Sequence, residues 1–505
     1  MKIFFFLQRR FAYVGHAIAL TLKEQYGVQE FCGYAYLRSS FDFLKSQNEI
    51  RYTKLLLDEE VLKGYVQEPL DLAYLKTLET EYGLPNLWPY LEIDRVIRHG
   101  QLIREYPYDK PPYTHEEMMR ILQVKTKVIS AFLKEEKPDL MLFSVIADLS
   151  SLFLYHAAKK MGIKTLFMQE ARTGMRYTLT EDYRTLSHIE ETFGNIQGGT
   201  TSYPRERRLA EEFLRSFRSK PLSYSYEDTA EKKPLNRKKQ FAFLNPKQFF
   251  ASLAWTYTTF IEYCMNRNKD DYSVVKPWHY VWDRLKRKIR VLVGFDDLYD
   301  ETDPDDAYVF FPLQFEPEMF ASLFSGFYTD QLWLVRQIAR AVPIEFKVYV
   351  KEHPAMYGYR PKSFYRELKN IPNVKLIRPT EKTFDLIRNA RLITTLTGTV
   401  GWEAILFKKP VVTFGDVFYN VLPAAKKCAA IDDLPFLIKD QLERFTHDEH
   451  ALINFLTAVF KESVDFDIIR IWEMEGGGEN KKHKEQFERI AELIARKVNP
   501  TPAAQ

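Results

Sequence analysis

The chain opens on a nearly unbroken apolar run, "KIFFFL", and the absence of polar alternation predicts a strand buried on both faces. A helical period follows through "GHAIALTLKEQYG", then a second short apolar run, "VQEFCGY", which together begin an α/β alternation. Residues 41–120, rich in Leu, Tyr, Glu and Lys, read as mainly helical. The alternation resumes with the strand "KPDLMLFSV", the helix "DLSSLFLYHAAKKMG" and the strand "IKTLFMQ", which runs directly into "EARTGMR".

From about residue 198 the pattern changes. "YPRERRLAEEFLRSFRSK" predicts a charged helix and "YEDTAEKKPLNRKKQ" a solvated linker. Two aromatic, basic helical segments come next, "KQFFASLAWTYTTFIEYCMNR" and "WHYVWDRLKRKIRVLVG". Aromatic helices are more often core than anchor, so packing between domains is the preferred reading. The other reading lays them on an anionic membrane surface, Lys and Arg outermost and the rings beneath.

The second half carries the clearest pattern. Strands "YVFFPL", "EFKVYV", "VKLI", "RLITTL" and "PVVTF" alternate with helices through "PEMFASLF", "DQLWLVRQIARAV", "KSFYRELKN", "TFDLIRNA" and "VGWEAILF". Such spacing predicts a parallel, doubly wound sheet, whose ligands bind beyond the carboxyl ends of the strands. The expected organisation is a Rossmann-like domain with a helical insertion (1–196), a helical and charged linker region (197–305), a second Rossmann-like domain (306–465) and a C-terminal helix (466–505).

Composition bounds the function. The 505 residues exceed one ordinary core, and 46% hydrophobic with 15% aromatic residues suits a packed protein. A formal charge of +4 at this length does not suggest a nucleic-acid binder. The three cysteines are far apart and lack metal-ligand spacing, as reduced thiols would. "MKIFFFLQRR" has too short an apolar run for a signal peptide, and no stretch reaches about 18 apolar residues. A cytoplasmic protein, either soluble or held on the membrane from one side, is expected.

Three stretches carry candidate chemistry. In "VYVKEHP", Pro354 pushes His353 to an extended conformation, so Lys351 and His353 share a face and Glu352 turns away. A lysine charge and a directed histidine donor at a strand's carboxyl end suit a phosphate. In "TLTGTVGWEAILF", Thr397, Gly398 and Thr399 lead a strand into a helix, where amides and hydroxyls can meet an anion. The plainer reading makes Thr399 an N-cap. Trp402 then stands where a capping box needs an acid, which leaves Glu403 for ribose hydroxyls. The stretch matches neither a P-loop nor the Gly-x-Gly-x-x-Gly fingerprint. In "FPLQFEPE", Pro317 is placed to start a helix with Glu318 in its first turn, an ionised carboxylate suited to take a proton. Asp303 and Asp305 form an Asp-x-Asp pattern, but within an acidic loop, and no metal site is assigned.

"YVFFPLQFEPE", "YVKEHP" and "TGTVGWEAILFKKPVVTFGDVFYN" occur in the order seen in bacterial capsule and surface polysaccharide biosynthesis proteins, a family that resembles the capsule Kdo transferases and, more remotely, the His-Pro-motif sialyltransferases. The resemblance covers residues 307–420 and, less fully, "QEARTGMRYTLTEDY". It implies a GT-B fold of two Rossmann-like domains facing a cleft, with a nucleotide-sugar donor, a glycan or lipid-linked acceptor and neither metal nor cofactor. By analogy Lys351, His353 and Pro354, with Thr397, Gly398 and Thr399, hold the nucleotide phosphate, and Glu403 the ribose. Glu318 is the base and Glu316 its reserve. Glu170, Arg172 and Arg176 hold an acidic sugar or the acceptor. The Pro-Glu pair departs from the paired acids of the Kdo transferases.

The expected function is glycosyl transfer from a CMP- or UDP-linked sugar in capsule assembly, with inversion. Partners beyond the substrates are an inner membrane leaflet and a capsule assembly complex. The alternatives are a CDP-glycerol-type polyol-phosphate transferase, a non-catalytic assembly component and a nucleotide-sugar epimerase.

Overall fold

The computed structural model describes residues 1–8, 11–99, 113–222, 241, 245–265, 276–316, 318–468, 471 and 483–498. The chain divides into two compact units: residues 1–98, 111–210 and 454–505 form one, and 99–110 with 211–453 the other. The expected linker "YEDTAEKKPLNRKKQ" and Pro317 lie outside the described residues.

In the first unit, β1 (Lys2–Leu7), β2 (Glu30–Ala35), β3 (Tyr52–Leu57), β4 (Leu140–Phe143) and β5 (Lys164–Glu170) are parallel, ordered β5-β4-β1-β2-β3. Phe4, Phe5 and Phe6 are wholly buried, as an apolar run covered by helices on both faces requires. β6 (Arg176–Thr180) adds antiparallel to β5, and a short strand, Ser463–Asp465, adds antiparallel to β6. This last pairing corrects the expected domain boundaries. The chain returns to the first sheet at Ser463, and helix Lys484–Val498 packs on helix Phe11–Tyr26. Residues 41–120 are not wholly helical either, since β3 lies within them.

A buried polar network sits at the carboxyl ends of these strands. Lys125 Nζ donates to Asp58 Oδ1 (2.8 Å) and Ser150 Oγ (3.0 Å), and Tyr34 Oη donates to the same Asp58 oxygen (2.5 Å). Asp148 caps helix Leu149–Lys160 and accepts from Gln8 Nε2 (2.6 Å), while Asp94 accepts from Val96 N, Ile97 N and Leu149 N.

The second unit holds β7 (Tyr308–Pro312), β8 (Lys347–Lys351), β9 (Val374–Ile377), β10 (Leu392–Thr395), β11 (Val411–Thr413) and β12 (Ala425–Lys427). All pairings are parallel, in the order β12-β11-β10-β7-β8-β9. That is the doubly wound 3-2-1-4-5-6 arrangement, and its topological switch point falls between β7 and β10. A core from Val309, Val348, Leu376, Leu392 and Val412 outward fills one face against helices Gln331–Ala341 and Leu434–Glu443. The two aromatic helices, Pro246–Met265 and Pro277–Val293, belong to this unit. No residue of the first of them is buried within the described residues.

Burial raises the Asp94 carboxyl from its ordinary 3.8 to about 6, against the pull of Lys125. The folded state therefore holds a proton through that interval which the unfolded chain releases, so stability falls as pH rises from about 4 to 6. Asp94→Asn should flatten that fall, which amounts to about 3 kcal/mol, in urea melts across the interval. An unchanged pH slope would contradict the assignment.

Candidate functional site

The chemistry expected of the second unit gathers at the carboxyl ends of β7, β8 and β10, and one cation organises it. Arg360 is wholly buried. Its Nη1 donates to both oxygens of Glu352 (2.5 and 2.6 Å), and its Nη2 to Gln314 O (2.7 Å) and Glu316 Oε2 (3.0 Å). Tyr365 Oη also donates to Glu352 Oε2 (2.6 Å). Burial opposes the charge on Arg360, but Glu352 and Glu316 more than offset it, and its pKa lies above the ordinary arginine value. Glu352 is the counterion of Arg360.

This arrangement sets His353 and Gln314. His353 N donates to Glu352 Oε1 (2.6 Å), and the extended His353 backbone (φ −66°, ψ 128°) starts the turn Pro354–Met356. The ring Nδ1 accepts from Ala355 N (3.2 Å), so the neutral imidazole carries its proton on Nε2, the nitrogen that can donate to an anion. Lys351, the last residue of β8, is buried, and its Nζ donates to Thr383 Oγ1 (2.6 Å).

Gln314 follows β7 and exchanges two hydrogen bonds with Gln331: its N donates to Gln331 Oε1 (2.6 Å), and its O accepts from Gln331 Nε2 (3.2 Å). With its amide turned so that both ends are satisfied, Gln314 Oε1 accepts from Gly398 N (2.6 Å) and Thr397 N (2.9 Å), and Nε2 donates to Thr397 Oγ1 (3.2 Å). An acceptor oxygen thus already occupies the backbone donors that the sequence offered to a phosphate. Gln314 was not among the expected site residues. A polar side chain just past an apolar strand, at the switch-point strand, was the signal for it.

Helix Thr399–Leu406 begins with Gly398 as its N-cap, where Thr399 was expected, and no side chain caps it. The lack of a side chain at Gly398 is required by Gln314: a Cβ there would lie 2.9 Å from the end of its side-chain amide and 2.8 Å from Thr395 Oγ1. Gly401 is required by Tyr419, whose hydroxyl would lie 2.2 Å from a Cβ, so packing, and not approach of a ligand, explains that glycine. Glu403 is buried, and the open carboxylate expected for a ribose is not found.

Helix Met319–Phe324 starts two residues later than expected, so Glu318 is its N-cap and not part of its first turn, and its side chain makes no capping bond. Glu316, the reserve base, is engaged: Oε2 accepts from Arg360, and Oε1 from Gln331 Nε2 (2.5 Å). Asp303 accepts from Asp305 N in a loop, and among the described residues no group of three or more His, Cys, Asp or Glu could hold a metal.

In the first unit, Glu170 ends β5 and pairs with Arg172 Nη1 (2.7 Å). Arg172 takes a left-handed backbone (φ 53°) in the turn to β6, a conformation that is strained for a side chain other than glycine. Arg176 is not placed to hold a sugar. Its guanidinium binds Asp465 Oδ1 (2.8 Å), Ser463 Oγ (2.9 Å) and Ser463 O (2.5 Å), and its charge is spent on fastening the returning strand.

Two Rossmann-like α/β units in one chain are the domain composition of the GT-B class. Residues 261–426, which include every one of the phosphate-site candidates, match the family described as capsule polysaccharide biosynthesis protein. The chain is 36% identical over 121 residues to Protein FixF of Sinorhizobium fredii (strain NBRC 101917 / NGR234). That alignment spans 23% of this chain and 28% of FixF. Among solved structures, Thermosulfurimonas dismutans KpsC, beta Kdo 2,7 transferase, aligns with a TM-score of 0.37 at 10% identity, covering 72% of this chain and 89% of that one. The UDP-GlcNAc 2-epimerase from Methanocaldococcus jannaschii aligns with a TM-score of 0.26 at 15% identity, covering 94% and 99%.

Removing the Arg360 guanidinium strands Glu352, a buried carboxylate, without its cation. Arg360→Met should cost about 3–5 kcal/mol in denaturant unfolding, and Arg360→Lys most of that, because one ammonium cannot span Glu352 and Glu316. A loss below about 1 kcal/mol for Arg360→Met would contradict the dependence described here.

Proposed function

We propose that the protein is a glycosyltransferase of capsular or surface polysaccharide assembly. It moves a sugar from a CMP- or UDP-linked donor to a glycan or lipid-linked acceptor, with inversion and without a metal. The observation that carries this reading is the set of polar groups gathered at the switch point of the second unit. There a donor nitrogen of His353 and the amides of Thr397 and Gly398 follow the carboxyl ends of β8 and β10, the two strands that flank β7, within the stretch that matches the capsule family.

In the proposed reaction the acceptor hydroxyl gives its proton to Glu318 and its oxygen attacks the anomeric carbon. The bond from that carbon to the phosphate oxygen breaks, and the electron pair leaves with the phosphate. The departing charge is met by His353 Nε2–H and by the two amides, from which a phosphate oxygen displaces Gln314 Oε1. Lys351 adds a positive field from beneath, and Pro354 keeps His353 extended. The Glu170–Arg172 pair serves the sugar or acceptor. Glu316 and Arg176 have no chemical part, and Glu403 none with the ribose.

Thermal shifts over CMP, UDP, GDP and CDP identify the donor class through the nucleotide that stabilises most. CDP-glycerol, assayed beside CMP- and UDP-linked sugars, separates the polyol-phosphate alternative. His353→Ala should lower kcat about 100-fold while changing nucleotide affinity little; undiminished turnover removes His353 from the mechanism. Gln314→Glu sets a carboxylate where phosphate must come and should weaken nucleotide binding about 100-fold or more by calorimetry. Unchanged affinity would place the phosphate elsewhere.

A further inference from the structure

The helices Pro246–Met265 and Pro277–Val293 pack on each other through Trp255 against Tyr280 (ring centroids 6.4 Å apart), Tyr263 against Trp278 (5.6 Å) and the Arg284 guanidinium over Trp255 (3.8 Å). The second helix is fastened to its unit along one side. Val291 is buried, Arg287 Nη1 donates to Tyr359 Oη (2.9 Å), and Arg290 donates to Tyr359 O. Gly358, with a left-handed φ of 80°, lets that contact close, since a Cβ there would lie 2.6 Å from Val291.

The opposite side is apolar and exposed. At ~100° per residue, Trp278, Val281, Trp282, Leu285, Ile289 and Val293 fall within about 120° of arc, centred away from Arg287 and Val291. Trp282 is 55% and Val293 61% exposed. Lys286 and Lys288 border this arc on its two sides. On the first helix, Phe249, Leu253, Tyr257 and Phe260 likewise share an exposed face turned away from Trp255. Residues 276–290 hold six basic side chains against one acidic, Asp283.

We propose that this helical hairpin docks the second unit onto a lipid bilayer bearing anionic headgroups. Exposed aromatic rings bordered by lysines match the boundary between acyl chains and headgroups: the rings enter, and the lysine stems lie along them with the ammonium groups among the phosphates. The excess of positive charge sets the lipid class. A second copy of the chain fits less well, because protein interfaces are depleted of lysine. Among the described residues no helix is long and apolar enough to cross a membrane, so the hairpin lies flat.

This inference holds whether or not the transferase reading does, because binding is read with no nucleotide present. The full-length protein is sedimented with phosphatidylcholine vesicles containing phosphatidylglycerol and with pure phosphatidylcholine. Binding to the anionic vesicles should dominate and fall as salt rises. Trp278→Ser/Trp282→Ser/Leu285→Ser should weaken it by more than about tenfold, and Lys286→Glu/Lys288→Glu by about tenfold on anionic vesicles only. Wild-type tryptophan emission should be quenched by brominated phosphatidylglycerol, a readout that needs no variant. Absence of cosedimentation or of quenching overturns the proposal. So does retained vesicle binding by the folded triple variant, or a hairpin variant that changes oligomeric mass by light scattering and leaves vesicle binding intact.

Discussion

A single guanidinium without solvent access underlies the carboxyl edge of the second sheet. Arg360 binds the carboxylate that precedes His353 and the carbonyl of Gln314, and so ties the end of β8 to the end of β7. Through Glu352 it fixes the His353 amide, and through Gln314 O it aims a side chain at the amides that follow β10. A buried cation of this kind is tolerated only with its charge matched and its donors used, which demands Glu352 and holds Glu316. Two of the acidic residues in the neighbourhood, Glu352 and Glu316, are therefore structural for the same reason.

Gln314 gives the same edge a particular character. In place of open donors awaiting an anion, the helix start at Thr399 has its neighbouring amides held by a neutral acceptor oxygen. Such an acceptor keeps buried donors satisfied until something more negative replaces it, since a charged oxygen bonds an amide more strongly than a neutral one does. This contact links the helix start, the end of β7 and Arg360 into one unit.

Much of the second unit was legible because its strands are buried on both faces and show as continuous apolar runs: "YVFFPL", "EFKVYV" and "RLITTL" each yield a strand. The first sheet was legible where the same condition holds, in "KIFFFL" and "IKTLFMQ". β3 escaped because it is an edge strand, half-exposed and carrying Lys54, so its pattern resembles the helices around it. The division of the chain was misread at Ser463–Asp465, a three-residue strand too short to show a period. Arg176 looked like a ligand-binding cation because its partner, Asp465, lies 289 residues away. Arg360 organises the site, yet nothing local distinguishes it from a surface arginine. What sequence conveyed was the placing of Lys351, His353 and Thr397 at strand ends; what it withheld was which of their donors were already engaged.

The central claim is that a nucleotide phosphate enters between the ends of β7, β8 and β10 and displaces Gln314 from the amides of Thr397 and Gly398. Hydrogen–deuterium exchange with and without the best-stabilising nucleotide tests it most directly. The account predicts added protection concentrated in peptides spanning 351–356 and 397–401. Protection confined to other segments, with these peptides unchanged at saturating nucleotide, would contradict it.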